Sequence, residues 1–165
     1  NIICIQIICI QIMADTSLNE NRTILLIWQI SNIWQSKLRK ILKNHKISLN
    51  EYLIIETLFK LSSLTKTVSQ IRIANNSSLD VSVVSTNLTL LENKNLILRT
   101  HIDNRSKNIL LTDQGLSLIS SLIKIIKNEE IDFFNKLGNE TFNLTNSLKL
   151  LLGKKIRIKA YKNNE

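Results

Sequence analysis

Proline is absent from this 165-residue chain, glycine occurs only three times, and aromatic residues make up just 5%. Without the two residues that most readily form tight turns, a mainly helical protein is expected. Cysteine is almost as scarce. Cys4 and Cys9 both fall in the first twelve residues, so the body of the chain holds no thiol for a disulfide framework or for sensing by cysteine oxidation. His45 and His101 are isolated, with no cysteine or carboxylate at metal-ligand spacing, and there is no glycine-rich phosphate loop. Hydrolase, kinase and metalloenzyme signatures are therefore missing, and the expectation is a protein that is not an enzyme, with no cofactor and no metal site.

Residues 1–12 are an uncharged tandem repeat of Ile-Ile-Cys-Ile-Gln, followed directly by Met13, the single methionine. The stretch lacks a basic lead and is shorter than the roughly 20 apolar residues that span a bilayer, which argues against a signal peptide or membrane anchor. The preferred reading is that native translation begins at Met13 and that 1–12 is a non-native or disordered lead; the alternative is a real extension that adds a strand or clasps the partner subunit. What is present in excess is Ile, Asn and Lys, the bias an AT-rich genome imposes, so individual asparagines carry little functional weight.

The net charge of +9 is unevenly placed. Residues 21–47 hold six basic side chains and no acidic one, residues 80–153 balance, and residues 154–165 hold five basic and one acidic. Such an excess supplies non-specific attraction to phosphates. Lys37, Arg39, Lys40 and Lys43 can equally be a solvated helix face.

Hydrophobic periodicity predicts a long helix over about 22–44, with Ile24, Ile27, Ile30, Trp34, Leu38 and Ile41 in one stripe and Leu25, Leu26 and Trp28 on other faces of its first half. A half-helix apolar on several sides needs more cover than a small domain provides, and a second copy of the chain is the economical cover. Ser48-Leu49-Asn50-Glu51 reads as a capping box opening a helix to about Leu61. Near the C-terminus, a helix over 116–137 is expected to turn Leu118, Leu122, Ile125 and Ile126 inward, and one over 141–152 to do so with Phe142, Leu148, Leu151 and Leu152.

Between these lie two short helical segments, 67–77 and 80–95, separated by Ser77-Ser78-Leu79, the arrangement of a DNA-reading helix pair. In the second, Val84, Leu88 and Leu91 share one side, while Ser82, Thr86, Thr89 and Asn93 form a polar stripe on the other. Asp80 is positioned as N-cap, and Asn95 stands where left-handed geometry is needed to leave the helix. Leu96 to Ile102 and Lys107 to Thr112 then suit paired strands around an Asp103-Asn104 turn, leading into Leu111-Thr112-Asp113-Gln114-Gly115 and a capped helix.

Ile73-Ala74, Asp80-x-Ser82-x-Val84-Ser85, Leu91-Glu92-x-Lys94-Asn95-Leu96-Ile97-x-Arg99, Asp103-x-Arg105 and Leu111-Thr112-x-x-Gly115, in that order and spacing, resemble the MarR family of multiple antibiotic resistance regulators. The similarity runs from about Arg22 to Leu152. It implies a homodimeric transcription regulator that binds a pseudo-palindromic operator and is usually released by a small ligand or an oxidant. The fold expected is mainly α, an α+β winged helix of six helices with a two-stranded hairpin. The corresponding organisation is a single domain over 13–153, dimerising through about 21–46 and 116–153 with a DNA-binding lobe over about 48–115, and a basic tail at 154–165. Thr86 departs from the basic residue, Ser77 from the apolar residue and Asn95 from the glycine that many relatives carry.

The DNA-contacting set expected is Ser82, Ser85, Thr86, Thr89, Arg99, Asp103, Arg105 and Lys107. Hydroxyls contact phosphates or base edges, and threonine methyls pack on thymine methyls. With no Lys or Arg on the reading helix before Lys94, bidentate guanine reading is missing, which favours an AT-rich site read partly by shape. Arg105 at the wing tip suits a narrow minor groove, with Asp103 orienting it or shaping the turn. Arg99, mid-hairpin, has two open roles, structural pairing or phosphate contact. Trp28, Trp34, Tyr52 and Phe59 are candidates to line a small-ligand cavity, against the simpler role of core packing. The function expected is a cytoplasmic DNA-binding repressor with double-stranded DNA and a second copy as partners and no membrane contact; a winged-helix protein-interaction module is the alternative.

Overall fold

A computed structural model describes residues 22–101 and 107–156. Among them the order is α1 (Thr23–Asn44), α2 (Leu49–Ser62), α3 (Gln70–Ser77), α4 (Val81–Asn93), β1 (Ile97–His101), β2 (Lys107–Leu111), α5 (Asp113–Phe134), a 3-10 turn (Asn135–Leu137) and α6 (Glu140–Leu151). This is the expected mainly α winged helix with six helices and one antiparallel two-stranded sheet. The chain divides after Ile119 into two compact units.

In the first unit the elements begin and end for identifiable reasons. Ser48 caps α2 as expected: its Oγ accepts from the Glu51 amide at 3.2 Å, and Glu51 Oε2 accepts from the Ser48 amide at 2.6 Å. Two helices end in the same left-handed device. Lys46 (φ 57°) donates from its amide to the Lys43 carbonyl and Ile47 to that of Leu42; Asn95 (φ 55°) donates to Glu92 and Leu96 to Leu91. Each is the paired closure that satisfies the last carbonyls of a helix, followed by a buried aliphatic, Ile47 or Leu96. Asn95 thus does what its residue type predicts.

The helix pair differs from expectation at its start. α3 begins at Gln70, not Thr67, because Val68 is bonded elsewhere: its amide donates to Asn108 Oδ1 at 2.8 Å, and its carbonyl accepts from the Ile109 amide at 2.9 Å. Ser69 then serves as N-cap, accepting from Arg72. Asp80 does occupy the N-cap position of α4, yet its side chain makes no capping bond. The turn between them is made by Ser78 at φ 58°.

Val84, Leu88 and Leu91 of α4 are fully buried together with Ile54, Ile55 and Leu58 of α2 and Ile73 of α3. The hairpin pairs Ile97 with Leu111 and Arg99 with Ile109, and it buries Ile97 and Ile109 while Leu98 and Leu110 on the opposite face stay exposed. Thr112 joins hairpin to α5: its hydroxyl donates to the Asn95 carbonyl at 2.7 Å and accepts from the Gly115 amide at 3.0 Å. Gly115 is required here, since a Cβ would lie 2.0 Å from the Leu96 carbonyl oxygen.

Along α1 only Leu38 and Leu42 are buried; Leu42 was not in the expected stripe, and Ile24, Trp28, Ile30 and Ile33 are exposed. On α5, Ile119, Leu122 and Ile126 are buried, whereas Ile125 is exposed and Leu118 half-buried. The inward stripe is therefore turned by about one residue from the expected one, as a 3.6-residue period allows. In the second unit α6 buries no residue, and Leu151 and Leu152, expected to face inward, are 77% and 66% exposed. Phe133 and Phe134 stack edge to face at 5.3 Å, and a recess of about 440 Å³ lies between Ile131, Phe134, Leu144 and Leu148.

Candidate nucleic-acid interface

The polar face of α4 follows from its amphipathic sequence. With Val84, Leu88 and Leu91 committed to the core, the 100° rotation per residue leaves Ser82, Thr86, Thr89 and Asn93 exposed and Ser85 half-buried. Asn87 belongs to the buried side, where its Nδ2 donates to the Val83 carbonyl. The threonine hydroxyls bond back to their own helix: Thr86 Oγ1 to the Ser82 carbonyl at 3.1 Å and Thr89 Oγ1 to that of Ser85 at 3.3 Å.

Three tethers fix α4. At its start, Gln70 Nε2 of α3 donates to the Val81 carbonyl at 3.2 Å. Beyond its end, Lys94 Nζ donates to Glu51 Oε1 at 2.6 Å and to the Lys46 carbonyl at 2.9 Å. Glu51 is only 2% exposed and serves its capping box and this ion pair at once. On its flank, Arg99 of β1 donates through Nε and Nη2 to Glu92 Oε2 at 2.8 and 2.5 Å, and through Nη2 to Thr89 Oγ1 at 3.1 Å. The sequence had signalled the capping box and Arg99; the Glu51–Lys94 pair joins residues 43 apart and had no local signal.

Ser82, Ser85, Thr86, Thr89 and Arg99 are thus gathered on α4 and the adjoining strand. Asp103, Arg105 and the wing tip lie outside the described residues; Lys107 opens β2, and its side chain is also outside them, as is that of His101. His45 ends α1 at a half-buried position. The four ligand-lining candidates are placed differently from one another: Tyr52 is buried, Trp34 and Phe59 half-buried, and Trp28 67% exposed. A basic recess not singled out from sequence is lined by Arg39, Lys43, Lys46, Ile47, Ser48 and Leu49. Among the described residues there is no cluster of metal-binding side chains and no helix long and apolar enough to cross a membrane.

No protein-family model and no curated sequence matches the chain. Solved structures do. The chain is 26% identical to MepR of Staphylococcus aureus in complex with DNA, with a TM-score of 0.71, covering 78% of this chain and 94% of that one. Against a MarR family transcriptional regulator from Silicibacter pomeroyi the TM-score is 0.71 at 16% identity, with 87% and 96% covered. Against BpsR of Bordetella bronchiseptica, whose DNA binding is regulated by 6-hydroxynicotinic acid, it is 0.70 at 13% identity, with 81% and 95% covered. These neighbours are regulators rather than enzymes, and the chain is a winged helix-turn-helix protein with the fold of the MarR-family transcriptional regulators.

Proposed function

We propose that the chain is a sequence-specific DNA-binding transcription regulator that acts as a homodimer. The observation that carries this reading is α4 itself: an exposed face of Ser82, Thr86 and Thr89, uncharged from Val81 to Leu91, backed by a fully buried Val84, Leu88 and Leu91. A helix so presented beside a hairpin docks in the major groove with the wing alongside. Ser85, Thr86 and Thr89 then meet base edges, and Arg105, with Asp103 two residues before it in sequence, reaches the minor groove of A-tract flanks. Lys107 and the basic side chains at 37–46 add phosphate attraction. The DNA complex of MepR, 26% identical, supports the same use of the fold.

The dimer is supported by the apolar faces left open in one chain, Ile24, Trp28, Ile30 and Ile33 on α1 and Leu150, Leu151 and Leu152 at the end of α6. Large apolar side chains left exposed in this way suit an association face. The operator is an AT-rich pseudo-palindrome, the action is repression, and release is by a small ligand, for which the regulation of BpsR by 6-hydroxynicotinic acid is the precedent. The balanced charge of residues 80–153 favours a second reading, a winged-helix module that binds protein. Binding to sequences selected from a random duplex pool separates the two. A regulator loses affinity steeply between low and physiological salt, because each neutralised phosphate releases counterions. Affinity that stays flat with salt, or no enriched sequence, contradicts DNA reading.

A further inference from the structure

A threonine hydroxyl has one proton to donate and two lone pairs that accept. Thr89 donates its proton to the Ser85 carbonyl, and one of its lone pairs is taken by Arg99 Nη2 at 3.1 Å. The guanidinium is a rigid planar fork, so its anchorage on Glu92 Oε2 through Nε and Nη2 sets where Nη2 points. Turning the Thr89 proton outward would forfeit the bond to Ser85, and turning it toward Arg99 would set donor against donor. What Thr89, an exposed residue, has left to offer is a single lone pair.

An acceptor of this kind cannot bond a phosphate, which also only accepts. In the major groove the complementary donors are the N6 amine of adenine and the N4 amine of cytosine, whereas guanine and thymine present acceptors. We propose, on the reading that α4 enters the major groove, that Thr89 is a fixed hydrogen-bond acceptor selecting adenine or cytosine at one position of each half-site, and that Arg99 is a positioning residue that holds it in that state. The charge of Arg99 is matched by Glu92, so Arg99 neutralises no phosphate and releases no counterion.

The test selects bound sequences from a random duplex pool with the full chain and with Thr89→Val and Arg99→Lys. At one position per half-site wild type enriches base pairs in a single orientation, with the amine-bearing base, adenine or cytosine, always on the same strand. Thr89→Val keeps the shape but lacks the oxygen, and it loses that enrichment by roughly three- to tenfold, the worth of one hydrogen bond. Arg99→Lys keeps a charge without the fork and flattens the preference too. In a site carrying adenine there, purine without the 6-amino group weakens wild type by the same factor and leaves Thr89→Val unchanged. Arg99→Gln binds with the wild-type salt slope, with circular dichroism confirming that each variant is folded. An unchanged preference in Thr89→Val, or equal weakening of wild type and Thr89→Val by the missing 6-amino group, overturns the proposal. So does an Arg99→Gln slope lower by about 1 with preference intact, since that marks a phosphate ligand. Wild type that binds no duplex overturns the DNA reading along with it, whereas binding with the wrong preference overturns this proposal alone.

Discussion

The segment from Ile47 to Ile119 and the two outlying helices, α1 and α6, are built from much the same aliphatic residues and put them to opposite uses. In the first, Ile54, Ile55, Leu58, Val84, Leu88, Leu91, Ile97 and Ile109 are buried to within 1% of full cover. Glu51, the one buried acid among its described residues, is bonded on both oxygens. In α6 nothing is buried, and in the first half of α1 Ile24 and Trp28 are 65% and 67% exposed. Apolar content alone therefore does not say where a core lies. A helix face becomes core when neighbouring elements of the same chain close over it; one that stays open needs a cover from outside, and the inward faces of α2 and α4 are closed while α6 and the first half of α1 are not.

The largest effect expected within the closed region comes from its tightest contact. Gly115→Val sets a Cβ 2.0 Å from the Leu96 carbonyl, and backbone cannot yield there without separating α5 from the end of α4. A loss of about 4 kcal/mol or outright unfolding is expected in thermal or urea denaturation. A variant as stable as wild type would show that this junction is not closed.

Next is the open region. If the chain is the proposed dimer, the pair Leu151→Asp and Leu152→Asp, at positions 77% and 66% exposed in one chain, should shift it to monomer while leaving the helical circular dichroism of the rest in place. Each leucine buried in an association face contributes about 1.5 to 3 kcal/mol, so association should weaken at least about a hundredfold. Light scattering reads the mass directly, and an unchanged mass would place the association face elsewhere.

Glu51→Ala should cost about 2 to 3 kcal/mol, since it removes half of a capping box and leaves Lys94 without its carboxylate. The smallest effect is at Asn95, at φ 55°: Asn95→Gly should be neutral or stabilise by up to about 1 kcal/mol, and Asn95→Val should destabilise by about 1 to 2 kcal/mol, both read from denaturation midpoints.

The features legible from sequence were those set by neighbours in the chain. The capping box at Ser48, the left-handed exit at Asn95, the buried and polar sides of α4 and the two strands of the hairpin each depend on a few adjacent residues. Features set by distant partners were not legible. Val68 is drawn out of α3 by Asn108, 40 residues away, which is why that helix starts late. Lys46 adopts φ 57° although lysine carries no signal for it; the buried Ile47 that follows and the two closing bonds to α1 hold it there. The inward stripe of α5 was misplaced in phase because Leu116, Leu118, Ile119, Leu122, Ile123, Ile125 and Ile126 permit more than one. At the candidate site the hydroxyl stripe was readable, but that Arg99 is paired with Glu92 and Thr89 is known only from the fold.

The most direct test of a closed reading lobe that works in pairs is the affinity of the full chain for duplexes carrying the selected site in three forms: one half-site, two half-sites about one helical turn apart, and the same two moved apart by a further half turn of about 5 bp. Two-fold symmetric readers face the same side of the duplex only at whole turns. The second duplex should bind two chains at least about a hundredfold more tightly than the first, and the third should fall back toward the single half-site. Equal affinity for all three would contradict the account.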